Sequence, residues 1–237
     1  MSLSLLGVYN RRKAAVMAGV ARQAAALGGT VLLWALDEPA PDLARWTVGV
    51  GKGARCELLN RLYELAPAED DIVVSDHDVA FARGDLAGFL ARFDEGGWDL
   101  AQPAQSWRGS YASYLFSRRR PWLVSRDTTF VEVGPLFAVA ARSRDLFLPF
   151  PDWGMGWGVE LLWWDRVREG ARLGMVDDVT IRHLSPLFQN YQRGDEQARL
   201  EEQLAHRGLH SIRQIQQTVA SVRRPLLIPR PGRTSTK

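Results

Sequence analysis

The chain has 237 residues, 46% of them hydrophobic, which suffices for one sizeable α/β domain with a small appendage but not for two full domains. Its 30 basic and 27 acidic residues leave a formal charge of +3, too slight and too scattered to argue for a nucleic-acid partner. The single cysteine, Cys56, excludes an internal disulfide and a cysteine-based zinc site and agrees with a reducing compartment.

Hydrophobic periodicity gives an alternating order of strands and helices. Leu3 to Tyr9 reads as a strand, Arg12 to Leu27 as an Ala-rich helix stopped by Gly28-Gly29, and Thr30 to Leu36 as a second strand. Leu43 to Val50 is ambiguous. Gly51-Lys52-Gly53 breaks the chain before a helix from Ala54 to Leu65, whose leucines at 58, 59, 62 and 65 share one face. Ile72 to Ser75 is a strand, Asp85 to Phe93 a helix and Leu100 to Ala104 a short strand. From Ser106 to Arg126 aromatics and arginines replace the pattern, which suggests a long loop or hairpin. Val131 to Ala140 returns as a strand, Glu160 to Glu169 as a helix and Met175 to Ile181 as a final core strand. Asp195 to His206 and Ser211 to Val222 both read as helical, forming an extension over 191–222. Arg223 to Lys237 is a basic, Pro-rich tail expected to be mobile, with anionic membrane lipid as a conceivable contact. No stretch approaches the roughly 18 apolar residues of a membrane span. Met1 to Gly7 lacks a basic leader, so the expectation is a soluble cytoplasmic protein.

The chemistry concentrates in three places. Asp76-His77-Asp78 closes the strand from Ile72, where two carboxylates one residue apart point the same way and can address one divalent cation. Gly156-Trp157-Gly158-Val159-Glu160 places a carboxylate at the start of a helix, where amides and the helix dipole favour the ionised form. Ile181-Arg182-His183 supplies an imidazole. Each has a plainer reading: an Asp-rich turn, a helix cap, and a hydrogen-bonded core histidine. Arg118-Arg119-Arg120 is either a solvated loop or a lid over an anion, and of the tryptophans Trp157, beside the glycine pair, is the candidate for a ring that lines a cleft and stacks on a ligand.

Together these stretches resemble the GT-A nucleotide-sugar glycosyltransferases over residues 1–190. Tyr9-Asn10-Arg11, Asp76-His77-Asp78, Trp157-Gly158-Val159-Glu160 and Ile181-Arg182-His183 resemble, in order, four motifs of the β-1,4-galactosyltransferase group. Gly53-Ala54-Arg55 through Asn60 is similar to the loop and helix before the metal strand in the inverting family-2 transferases. The resemblance implies a Rossmann-like α/β domain with a mixed central sheet flanked by helices. It implies Mn2+ or Mg2+ held by Asp78 and His183 with Asp76, and Glu160 as general base. Tyr9, Asn10, Arg11, Lys52, Arg55, Asp76 and His77 would contact the nucleotide sugar, with UDP ahead of GDP and dTDP, while Trp157, Gly158 and Glu160 would contact the acceptor hydroxyl. His206 and His210 read as surface residues. A single base opposite the leaving group implies inversion at the anomeric carbon. The chain departs from the group at Leu161, where an acid follows the motif glutamate, leaving Glu160 or Asp165 as base, and at Thr180, where a methionine stands and harder ions would now be favoured. Two alternatives remain: a catalytically idle nucleotide-sugar binder, or a nucleotidyltransferase with a similar acidic site. The acceptor would be shaped by Ser106 to Thr129 and Leu187 to Arg193, which resemble nothing readable.

Overall fold

The computed structural model describes residues 2–111, 114–186 and 193–225. In chain order its elements are β1 (Leu3–Tyr9), α1 (Ala14–Ala26), β2 (Thr30–Ala35), β3 (Thr47–Val50), α2 (Arg55–Tyr63), β4 (Asp71–Asp76), β5 (Val79–Arg83), α3 (Leu86–Gly96), β6 (Leu100–Gln105), β7 (Leu123–Thr128), β8 (Leu136–Val139), α4 (Arg144–Phe147), α5 (Val159–Arg168), β9 (Leu173–His183), α6 (Arg193–His206) and β10 (Thr218–Arg223). Nine strands form one mixed sheet in the order β10-β7-β9-β6-β8-β4-β1-β2-β3, and β5 pairs with β9 off that path. Strands β4, β1, β2 and β3 are parallel, so their carboxyl ends share one edge. Antiparallel β8 follows at β4.

Alternation along the strands divides the core. Leu3, Leu5 and Val73 turn to one face, where they meet Met17, Ala21, Phe89 and Phe93 of α1 and α3. Their neighbours Leu6, Ile72 and Val74 turn to the other, against Leu59 and Leu62 of α2 and Trp163 of α5. A third cluster joins Phe130 and Leu161 to Leu204, Ile212 and Ile215, seating the C-terminal segment on α5. The mixed sheet flanked by helices is the expected architecture.

Several boundaries differ from expectation. Ser211 to Val222 is not a helix: a 3-10 turn at Ile212–Ile215, opened by a Ser211/Gln214 capping box, gives way to β10, which pairs antiparallel with β7. The β-branched residues Thr218, Val219 and Val222 favour the strand. Strand β7 itself lies inside the segment expected as loop, and β5 was not foreseen. Of Val131 to Ala140 only Leu136–Val139 is strand, because Gly134-Pro135 interrupts the ladder. The tail beyond Arg223 and the segment Leu187 to Arg193 lie almost wholly outside the described residues.

Candidate functional site

Strand β4 leaves the sheet at Asp76, and a two-residue turn, His77-Asp78, delivers the chain to β5. Strand β5 then pairs with the end of β9, setting Val79 opposite His183. This register carries the imidazole to the acidic turn, although 105 positions separate His183 from Asp78 in sequence. Ligand atoms of Asp76, Asp78 and His183 lie within 4.8 Å of one another. His183 Nε2 is 2.9 Å from Asp78 Oδ1, and its Nδ1 is 3.2 Å from the Tyr111 carbonyl oxygen. An acceptor thus faces each ring nitrogen, which favours the charged imidazolium. Burial opposes that charge, but the Asp78 carboxylate outweighs it and raises His183 to about 9. Burial likewise opposes ionisation of Asp78, and the His183 hydrogen bond reverses the balance, lowering it to about 2. A bound cation would take the place of the Nε2 proton, while Nδ1–H would go on donating to the Tyr111 carbonyl, the usual outer support of a metal-bound histidine. Two carboxylates and one imidazole fit Mn2+ or Mg2+ better than a thiolate-seeking ion.

Arg55, the first residue of α2, reaches under this group. Its Nε donates to Asp76 Oδ1 at 2.9 Å and its Nη2 to the Val133 carbonyl at 2.9 Å, while Nη1 is buried without a hydrogen-bond partner among the described residues. Burial opposes the guanidinium charge, and Asp76 more than restores it. A Cβ at Gly134 would stand 2.9 Å from Asp76 Oδ2 and would push this carboxylate aside.

A glycine-rich loop forms the facing wall. Gly154, Gly156 and Gly158 all have positive φ, and Gly158, at φ 94°, caps α5 so that Glu160 enters in its first turn. Glu196 of α6 clamps the loop by accepting the backbone N–H groups of Met155 at 3.0 Å and Trp157 at 3.2 Å. Cys56, whose N–H donates to the Gly154 carbonyl, lies beneath, its thiol raised to about 11 by burial and therefore inert. Glu160 accepts from the Val133 N–H at 3.2 Å. The helix terminus does not keep it at an ordinary acidity as expected: burial raises it despite the amides of Glu160, Val133 and Gly158 and the charge of Arg55.

Between these walls lies a cavity of about 430 Å³ whose lining includes Arg55, Asp76, Glu132, Trp157, Glu160 and His183. Glu132 was not singled out from the sequence. It sits in an irregular segment between β7 and β8, is 4% exposed, and is raised to about 8 by burial and by the neighbouring Glu160. No motif marks it, and only the folded burial does. A larger hollow, about 700 Å³, opens beside α4 and α5 and contains none of the metal-binding candidates.

The remaining candidates divide. Asn10 and Arg11 stand at the carboxyl edge shared with Asp76, Asn10 accepting from the Lys13 N–H at 3.1 Å and Arg11 paired with Glu38. Tyr9 is fully buried, its hydroxyl 2.8 Å from Thr47 Oγ1, so its side chain belongs to the core rather than the cavity. The ring of His77 turns away from Asp78 to the Val8 carbonyl. Lys52 is exposed on the turn after β3 and does not line the cavity. Arg118, Arg119 and Arg120 do not form a free lid. Arg118 Nη2 donates to the Ser110 carbonyl at 3.0 Å, Arg119 Nε to the Asp177 carbonyl at 3.3 Å and the Arg120 N–H to Asp177 Oδ1 at 2.6 Å.

By sequence the chain matches no family profile and no curated protein. By structure it is similar to GalNAc-T7, solved with UDP, GalNAc and Mn2+, with a TM-score of 0.63 at 10% identity, covering 86% of this chain and 48% of that one. It is also similar to residues 1–349 of Staphylococcus aureus TarS, with a TM-score of 0.53 at 12% identity, covering 76% of this chain and 60% of that one. The chain has the GT-A fold of the nucleotide-sugar transferases. It spans about half the length of the GalNAc-T7 chain and three fifths of the TarS 1–349 chain.

Proposed function

We propose that this protein is a metal-dependent glycosyltransferase that moves a hexosyl unit from a nucleoside diphosphate, UDP by preference, to an acceptor hydroxyl with inversion. The observation that carries the reading is the Asp76, Asp78 and His183 group opening onto a cavity that also holds Arg55 and Glu160, on a fold shared with a protein solved with UDP and Mn2+.

In this reading Asp78, His183 and Asp76 hold Mn2+ or Mg2+, which when bound neutralises charge on the departing diphosphate. Arg55, lining the cavity and paired with Asp76, adds a second positive charge beside the diphosphate. Asn10 and Arg11 face the nucleotide from the shared strand edge. Trp157 and Gly158 contact the acceptor. Glu160 takes the proton of the acceptor hydroxyl as that oxygen bonds to the anomeric carbon, and the bond from that carbon to the diphosphate breaks with its electron pair leaving on phosphate oxygen. Its burial suits this work, since a carboxylate made more basic accepts a proton more readily near neutral pH.

The test is release of UDP from UDP-hexoses, with water or an added sugar as acceptor. The wild-type chain should release UDP with Mn2+ and not with EDTA, and Glu160→Gln should bind UDP normally yet lose turnover by about 100-fold or more. Metal-independent release, or an unaffected Glu160→Gln variant, contradicts the reading.

A further inference from the structure

Two buried glutamates share the cavity, and they are held in different ways. Glu160 is engaged by backbone amides, those of Glu160, Val133 and Gly158. Glu132 is held through side chains. Its backbone N–H donates to Gln102 Oε1 at 2.6 Å, and the single nitrogen Gln105 Nε2 lies 3.2 and 3.1 Å from its two carboxyl oxygens. Gln105 is itself oriented, since its Oε1 accepts from Ser110 Oγ at 3.0 Å, and Ser110 Oγ accepts the backbone N–H of His183 at 3.0 Å. The relay ties the Glu132 carboxyl to the strand end that carries the metal-binding imidazole.

We propose that Glu132 hydrogen-bonds the hydroxyl groups of the transferred sugar and thereby decides which sugar the site accepts. The inference rests on the transferase reading above and extends it to a residue with no role there. Three features support it. The carboxyl lines the cavity beside Asp76 and His183, where a sugar attached to a metal-bound diphosphate has to lie. With its affinity for a proton raised, the carboxyl can both donate and accept, and beyond the amide nitrogen shared between its two oxygens and the nearby Ser117 hydroxyl it keeps capacity for sugar hydroxyls. Gln102 and Gln105 fix the group in place, so it does not have to be ordered when sugar binds. A site of this kind discriminates strongly, because a sugar with its hydroxyl on the wrong side leaves a buried carboxyl unpaired.

The test is calorimetric titration of UDP, UDP-glucose, UDP-galactose, UDP-N-acetylglucosamine and UDP-N-acetylgalactosamine, with Mn2+, into wild type and Glu132→Gln. The amide keeps the shape of the side chain but fixes its donors at one end and cannot ionise. We expect the wild type to favour one UDP-sugar over its epimer by about tenfold or more, and the variant to keep its UDP affinity within about twofold while that preference collapses. Should Glu132→Gln fail to fold, Glu132→Asp, which withdraws the same carboxyl by one methylene, takes its place. An unchanged ranking in a folded variant, or a wild type that does not distinguish epimers, overturns the role of Glu132. A wild type that binds neither UDP nor any UDP-sugar with Mn2+ overturns the transferase reading and this inference with it.

Discussion

Asp78 and His183 form the hinge of the account, because each holds the other in its charged state until a cation replaces the shared proton. Replacing Asp78 with Ala removes one ligand and the partner of the second, and should abolish Mn2+-dependent nucleotide binding while leaving the fold intact, as circular dichroism would show. The pair also sets a pH dependence of the metal-free protein. His183 is raised from 6.5 to about 9, so its contribution to stability is complete below pH 6.5 and is lost as pH rises through 9. Asp78 is lowered from 3.8 to about 2, so its contribution is complete above pH 3.8 and is lost as pH falls toward 2. In EDTA the melting temperature should therefore fall between pH 6.5 and 9.5, and Asp78→Ala should flatten that slope. Manganese affinity should rise over the same interval, since the cation competes with the Nε2 proton. Asp76 and Asp78 were legible in the sequence because a strand ending in two acids is a local signal, whereas His183, in an apolar strand, was singled out through the family resemblance. Glu132 was not, because its importance arises from burial beside Glu160 and its hold on Gln105, neither of which leaves a trace in residue order. Tyr9 shows the converse: a motif letter read as ligand-binding is a core side chain.

At the scale of elements, the glycine-rich loop and the arginine segment are each held by one buried acid. Glu196, 6% exposed, satisfies two loop amides from α6. Replacing it with Ala should cost about 1–3 kcal/mol, read as a lowered melting temperature, and should weaken nucleotide-sugar binding because Trp157 and Glu160 lose their fixed approach. Asp177, fully buried on β9, pairs with Arg126 of β7 at 2.8 Å and accepts the Arg120 backbone N–H on its carboxylate, while its backbone carbonyl accepts from the Arg119 side chain. Arg126→Met would leave that charge uncompensated and should destabilise the chain by about 3–5 kcal/mol in denaturant titration, several times the effect of breaking an exposed pair such as Arg61–Glu57. An Arg-rich stretch read in sequence as a solvated loop or lid is thus partly core. The signal was masked because a buried, paired arginine and a surface one carry the same letter. Most of the parallel half of the sheet was readable, since its strands are continuous apolar runs. The antiparallel β5, β7 and β10 were not, because they are mixed in polarity and their partners lie far away in sequence.

For the molecule as a whole, the C-terminal segment is part of the same body as the sheet. Strand β10 covers the β7 edge, and Leu204, Ile212 and Ile215 share a core with Phe130 and Leu161. Ending the chain at Arg207 should uncover β7, lower the melting temperature and promote association through the bare edge, whereas the full chain should unfold in one calorimetric transition. No helix among the described residues is long and apolar enough to cross a membrane. The central claim is that the fold brings Asp76, Asp78 and His183 together to bind a nucleoside diphosphate through a divalent cation. The most direct test is a thermal-shift panel of UDP, GDP, dTDP, CDP and ADP, each with Mn2+ and with EDTA, because a ligand that binds only the native state raises its melting temperature. The account predicts a rise for UDP with Mn2+ that vanishes in EDTA and in Asp78→Ala; no rise for any diphosphate, or one indifferent to Mn2+ and to Asp78, would contradict it.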